Sequence, residues 1–127
     1  SNLVSNVGVI SSDVTGVGTA RNGVGSCTYG TDKAIFAYGT TGSSVSISNL
    51  VSNSGVVASD VTGVGTARYG VAGVGYGSDK GILAFGTPSG YTAISNLVSS
   101  SGVVASDTAA VGTATSILHQ GAGYSTA

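Results

Sequence analysis

The sequence predicts an all-β fold of tandem four-stranded antiparallel blades, β-propeller-like, with about 2.7 repeats in the chain. Three observations carry this. The segment SNLVSNVGVISSDVTGVGTAR at residues 1–21 returns at 48–68 and, degraded, from residue 95, a period of 47 residues. Such self-similarity marks units that bury their apolar faces only when a neighbour stacks on them. Within each unit, four short β-branched runs alternate with Gly-rich turns, and no stretch has the i, i+3, i+4, i+7 apolar spacing of a helix. Four strands in about 40 to 50 residues is the size of a propeller blade, whereas parallel coils repeat at about 20 to 30. Residues 1–127 are therefore expected to form a single repeat domain, with units 1–47, 48–94 and an incomplete 95–127.

In chain order, SNLVSNVGV (1–9) and the ISSD after it form two short strands about a turn at Asn6, Val7 and Gly8. The turn is repeated at Asn53, Ser54 and Gly55 and again at Gly102, with glycine where a positive φ is needed. VTGVGTAR (14–21) is a loop. NGVGSCTY (22–29) and YGVAGVGY (69–76) are strands so poor in bulk that they suit tight packing against other backbones. GTDK (30–33) and GSDK (77–80) are hairpin turns. AIFAYGT (34–40) and GILAFGT (81–87) carry the largest apolar side chains, so Phe36, Tyr38, Leu83 and Phe85 are the expected core. TGSS (41–44) and PSGY (88–91) differ between copies as exposed loops do. VSI (45–47) and TAI (92–94) then lead into the next unit.

A hydrophobic content of 41% excludes wholesale disorder. Charged residues are only 7% and the net charge is −1, which leaves no basic footprint for nucleic acid and no basic stripe for an anionic membrane. No apolar run reaches membrane-spanning length. A low-charge surface of Ser, Thr, Asn and Gly points to a virion or extracellular location. Cys27 is the single cysteine, so no intrachain disulfide forms; Val74 at its repeat position marks it as a small buried hydrophobe.

The charged side chains recur with the repeat: Asp13, Asp60 and Asp107; Arg21 and Arg68; Asp32 with Lys33 and Asp79 with Lys80. A catalytic site needs unlike residues converging once, whereas a blade needs the same turn or bridge in every copy, so these are read as structural positions. The Asp of SDVTG is expected to cap a turn and meet the Arg of GTAR, within its blade or the next, and Asp-Lys to decorate a hairpin tip. The competing reading is a ligand-binding ring of Arg (Arg21, Arg68) or of the recurring Asp around the propeller axis. His119 is the one histidine and Glu is absent, so no Ser-His-Asp triad or His/Cys metal cluster assembles. Ser116, His119 and Asp107 make a triad only on paper. There is no D-x-D-x-D-G calcium loop, and G-x-G in VTGVGTA lacks the strand-then-helix context of a dinucleotide site. No catalytic residue, metal or cofactor is implied.

Residues 67–87, ARYGVAGVGYGSDKGILAFGT, resemble the heart of a kelch repeat: an Arg-containing lead, a small-residue inner strand, a turn, and a second apolar strand ending in glycine. TAISNLVSS (92–100) and VVASD (103–107) resemble the blade's third and fourth strands. The units are also similar to kelch-like tandem repeats of marine phage genomes, in which SNLVSN, VGTAR and DKAIF recur. The kelch Gly-Gly doublet and Trp are replaced by single glycines, Gly39 and Gly86, and no Trp. The resemblance implies a propeller, and propellers close with four to eight blades. Closure is therefore expected in trans, the terminal strand of one copy (116–123) sharing a blade with the leading strands of another, a dimer giving about six blades; the alternative is that a longer chain supplies the rest. The expected function is a non-enzymatic structural or adhesive module of a viral or extracellular fibre. The alternative is a lectin-like module holding a glycan through Tyr29, Tyr76, Tyr91 and Tyr124.

Overall fold

The computed structural model describes residues 1–115 and Gly123. Among the described residues the chain is all β, with two three-stranded antiparallel sheets and no helix. The first sheet is β1 (Gly25–Tyr29), β2 (Lys33–Ala37) and β3 (Ser48–Val51). The second repeats it as β4 (Ala72–Tyr76), β5 (Lys80–Ala84) and β6 (Ser95–Val98). Each sheet runs in chain order, with pairs such as Cys27 opposite Ile35 and Phe36 opposite Asn49.

Alternation decides the faces. In β1, Gly25, Cys27 and Tyr29 are buried while Ser26 and Thr28 point outward, the period-two pattern of a half-buried strand. The β1–β2 hairpin turns through Gly30 and Thr31, both at positive φ (56° and 69°), and Gly77 and Ser78 repeat this at 58° and 67°. A positive φ strains any residue but glycine, and Thr31 and Ser78 hold it inside a short loop closed by the strand pairing.

The expected fourth strand is reduced. Residues 56–61 pair with the β3 backbone through two isolated bridges, Val51 with Val57 and Ser48 with Val61. Three steps along β3 thus face four on its partner, the signature of a β-bulge. The same offset separates Val98 with Val104 from Ser95 with Thr108. The extra residue turns Asp60 and Asp107 away from the ladder, which is why no regular fourth strand forms. The leading residues repeat the arrangement as a loose hairpin, with one bridge between Val4 and Ile10.

The two sheets meet through β1, which lies against β4 and β5. Their approach is so close that a Cβ at Gly73 would run into the Ser26 backbone, and one at Gly81 into the Cys27 sulfur. Main-chain hydrogen bonds cross between the repeats, from Gly70 N–H to Gly23 O (2.8 Å) and from Gly39 N–H to Arg68 O (2.9 Å). The core between the sheets contains Cys27, Tyr29, Ile35, Ala37, Tyr38, Val71, Leu83 and Val98. Of the four expected core residues, Tyr38 and Leu83 are fully buried and Phe85 is half-buried, but Phe36 lies 39% exposed on the outer face of the first sheet. Hydrophobicity alone put it inside; the face it belongs to has no described sheet over it.

Candidate functional site

The most developed constellation of polar side chains is a closed loop of hydrogen bonds that occurs twice, once at each sheet. The bulge delivers Asp60 to Thr19, a residue 41 positions earlier, whose backbone N–H and hydroxyl donate to Asp60 Oδ2 at 3.0 and 2.6 Å. Asn49, on β3, donates from Nδ2 to Asp60 Oδ1 (2.8 Å) and to the bulged carbonyl of Ala58 (3.1 Å). Arg21 donates from Nη2 to Asn49 Oδ1 (2.6 Å), from Nη1 to Thr19 O (3.1 Å) and from Nε to Tyr38 O (2.8 Å). The path Thr19, Asp60, Asn49, Arg21, Thr19 is thus closed. Arg21 and Asp60 also form a long ion pair at 3.8 Å.

In the second sheet the loop passes through Thr66, Asp107, Asn96 and Arg68 with nearly identical distances. Arg68 is fully buried and also donates to the carbonyls of Phe85 and Leu83. Its guanidinium carbon lies 4.0 Å from the ring centroid of Tyr38, a cation–π contact between one repeat and the next. The Tyr38 hydroxyl donates to Val64 O at 3.2 Å. Tyr38 adopts φ 62°, so the chain leaves β2 with a kink.

Both carboxylates are held below the usual Asp range. At Asp60 the Thr19 hydroxyl and the Asn49 amide stabilise the charged form. At Asp107 burial pushes the other way, and the donors on Thr66 and Asn96, with Arg68 nearby, outweigh it. With its acceptors engaged by fixed donors, the loop ties together segments 41 residues apart in the sequence.

Asp13 pairs with Asn2 at 2.8 Å, both exposed. It repeats the Asn–Asp half of the loop. Asp32 and Asp79 each meet the adjacent Lys33 or Lys80, at 3.2 and 3.1 Å, on the exposed hairpin tips, and Asn53 holds the Asp32 carboxyl low. Of the tyrosines read as a glycan platform, the three described ones, Tyr29, Tyr76 and Tyr91, occupy different settings. Tyr29 is buried in the core, where a Cβ on Gly102 would come within 2.9 Å of its ring. Tyr91 stands exposed on its loop. Tyr76 is half-buried and lines an open concavity of about 660 Å³ with Ser26, Thr28, Ser78 and Lys80. Tyr124, Ser116 and His119 lie outside the described residues, as does the terminal strand at 116–122. Arg21 and Arg68 do not form an open ring of cations; each is committed to its own sheet. Among the described residues no three His, Cys, Asp or Glu side chains gather as a metal site.

No family model and no curated protein matches the chain. The site therefore has to be read from its own geometry. Sequence reasoning missed Asn49, Asn96, Thr19, Thr66 and the stacking of Tyr38. The signal for Asn49, Asn96, Thr19 and Thr66 was recurrence at 47 residues within the SNLV and GTAR segments, where short polar side chains look like ordinary surface residues.

Proposed function

We propose that this chain is a non-enzymatic structural or adhesive repeat module, whose blade-like units pack face to face in the manner of a kelch-like propeller and complete that packing by self-association on a virion or extracellular surface. One comparison carries the reading. Val71 and Leu83 are 6% and 0% exposed under the first sheet, while Val24 and Phe36, at the same repeat positions on the first sheet's outer face, are 36% and 39% exposed. An apolar face that one repeat buries and the next leaves open calls for another unit of the same kind. Antiparallel pairing in chain order within each sheet, and the packing of β1 against β4 and β5, support stacked blades over parallel coiled rungs. Ser26, Thr28 and Ala34 stand where the second sheet has Gly73, Gly75 and Gly81, so a further unit seats on this face at a wider spacing.

Light scattering on the chain tests this directly. The expected particle mass is about twice the 12.1 kDa of one chain, two copies making about six blades. A mass that stays at 12.1 kDa across the concentration range overturns self-association.

A further inference from the structure

Resting on that reading but narrower, we infer that copies of this chain join head to tail, Thr113 and Leu97 of one copy meeting Asn2, Asp13 and Gly8 of the next. The template occurs twice inside the molecule. Wherever one repeat follows another, the earlier unit gives a Thr and a Leu and the later unit receives them. Thr19 donates its N–H and hydroxyl to Asp60, and Thr66 does the same to Asp107. Leu3 and Leu50 lie over the turn glycines Gly55 and Gly102, where an added Cβ would strike their methyl groups.

The same positions occur once more with giver and receiver apart. In the first hairpin, Asn2 Nδ2 reaches Ser11 O at 3.1 Å and Asp13 Oδ1 at 2.8 Å, as Asn49 reaches Ala58 O and Asp60 Oδ1 at 3.1 and 2.8 Å. This receiving half is fully formed. Among the described residues no threonine closes on Asp13, both Asn2 and Asp13 are exposed, and the space over Gly8 is open. The giving half is formed as well. Gly112 adopts φ 82°, beside 75° at Gly18 and 73° at Gly65, so the turn already has the shape that delivers Thr19 and Thr66. An added Cβ at Gly18 or Gly65 would run into the carboxylate of Asp60 or Asp107, whereas at Gly112 it meets nothing within 4 Å. Thr113 is exposed and Leu97 is 42% exposed.

A polar contact and an apolar one are thus left open with the same polarity, the third unit giving and the first receiving. A second copy set one repeat step further on satisfies both, in the register of 47 residues that the chain uses internally. Such a contact is heterologous, so it closes as a ring or runs on as a fibre. Thr115 stands where Arg21 and Arg68 stand in the earlier units, so the joint lacks the guanidinium bonds to its Asn and is weaker than the internal ones. Association is then reversible and depends on concentration.

Light scattering over a concentration series tests the joint with Asp13→Ala, Thr113→Asp and Leu97→Lys, all at exposed side chains, whose amide NMR spectra should remain those of the folded chain. Asp13→Ala removes the charged acceptor and should weaken each joint about tenfold. Thr113→Asp sets like charges against each other and should weaken it at least as much, and Leu97→Lys should weaken it too. An equimolar mixture of Asp13→Ala and Thr113→Asp should associate more tightly than either variant alone, because Thr113 of the first still meets Asp13 of the second. Association unchanged in all three variants overturns the joint while self-association through another surface stands. A mixture no tighter than its components overturns the pairing of Thr113 with Asp13. A chain that stays at 12.1 kDa throughout removes the joint and self-association together.

Discussion

Phe36 and Leu83 occupy one position of the repeat and live in different solvents. Leu83 is sealed between two sheets, whereas Phe36 faces outward from the first of them. Arg21 and Arg68 differ in the same sense: the hydrogen bonds within each sheet are shared, and the aromatic cover described for Arg68 comes from the preceding repeat. Burial here belongs to the contact between units more than to the position within a unit. Stability in such a chain is then a sum of weak intrinsic terms and strong nearest-neighbour terms.

That comparison is most severely tested at the arginines. Arg68→Met removes a fully buried guanidinium and strips donors from the carbonyls of Leu83, Phe85 and Thr66 and from Asn96, and should cost about 3 kcal/mol or more in urea unfolding. Arg21→Met should cost less, about 1–2 kcal/mol, because it removes three such bonds where Arg68 makes four and also carries the Tyr38 ring. Equal losses would mean that the neighbouring repeat contributes nothing. The apolar pair comes next. Leu83→Ala should cost about 2–4 kcal/mol by leaving a cavity, and Phe36→Ala no more than about 1 kcal/mol in the isolated chain. Should assembly cover Phe36, its cost will rise with protein concentration, which sharpens the contrast.

The smallest expected effect is on pH. Asp60 and Asp107 are both held below the ordinary carboxyl value, so the folded state binds protons less readily than the unfolded one. Their contribution is fully present above the unfolded value of about 4 and is lost as pH falls through the folded values. The melting temperature should be flat from pH 7 to about 4 and fall below that, with a shallower acid limb in Asp107→Asn than in the unsubstituted chain. An unchanged acid limb would show that the Thr66 and Asn96 bonds do not govern the titration.

Much of this architecture could be read from residues alone. The turn glycines Gly8, Gly55 and Gly102 announce positive φ, and they adopt 80°, 79° and 82°. The small-residue run at 69–76 announced a close approach, and Gly73 meets the Ser26 backbone. What stayed hidden depends on partners in space. Asn49 looks like one polar residue among many until the bulge brings Ala58 O and Asp60 to its amide. Tyr29 looks like a surface aromatic until the Gly102 turn, from a unit further on, closes over it. Phe36 looks like core because its side chain is apolar, and nothing in a single position reveals whether a neighbour is there to cover it. The regular fourth strand failed for a related reason: alternation in VVASD suggests a ladder, but an Asp needed elsewhere interrupts it.

The closed path from Thr19 to Asp60 spans 41 residues and returns the chain to where the sheet began. A strip of strands pinned in this way behaves as a hoop without a covalent fastening, and its outermost segment cannot peel while the pin holds. Cutting the hoop in the exposed 41–44 loop and rejoining the chain elsewhere should leave its circumference intact, so the order in which the strands are synthesised is of less consequence than the pin that gathers them.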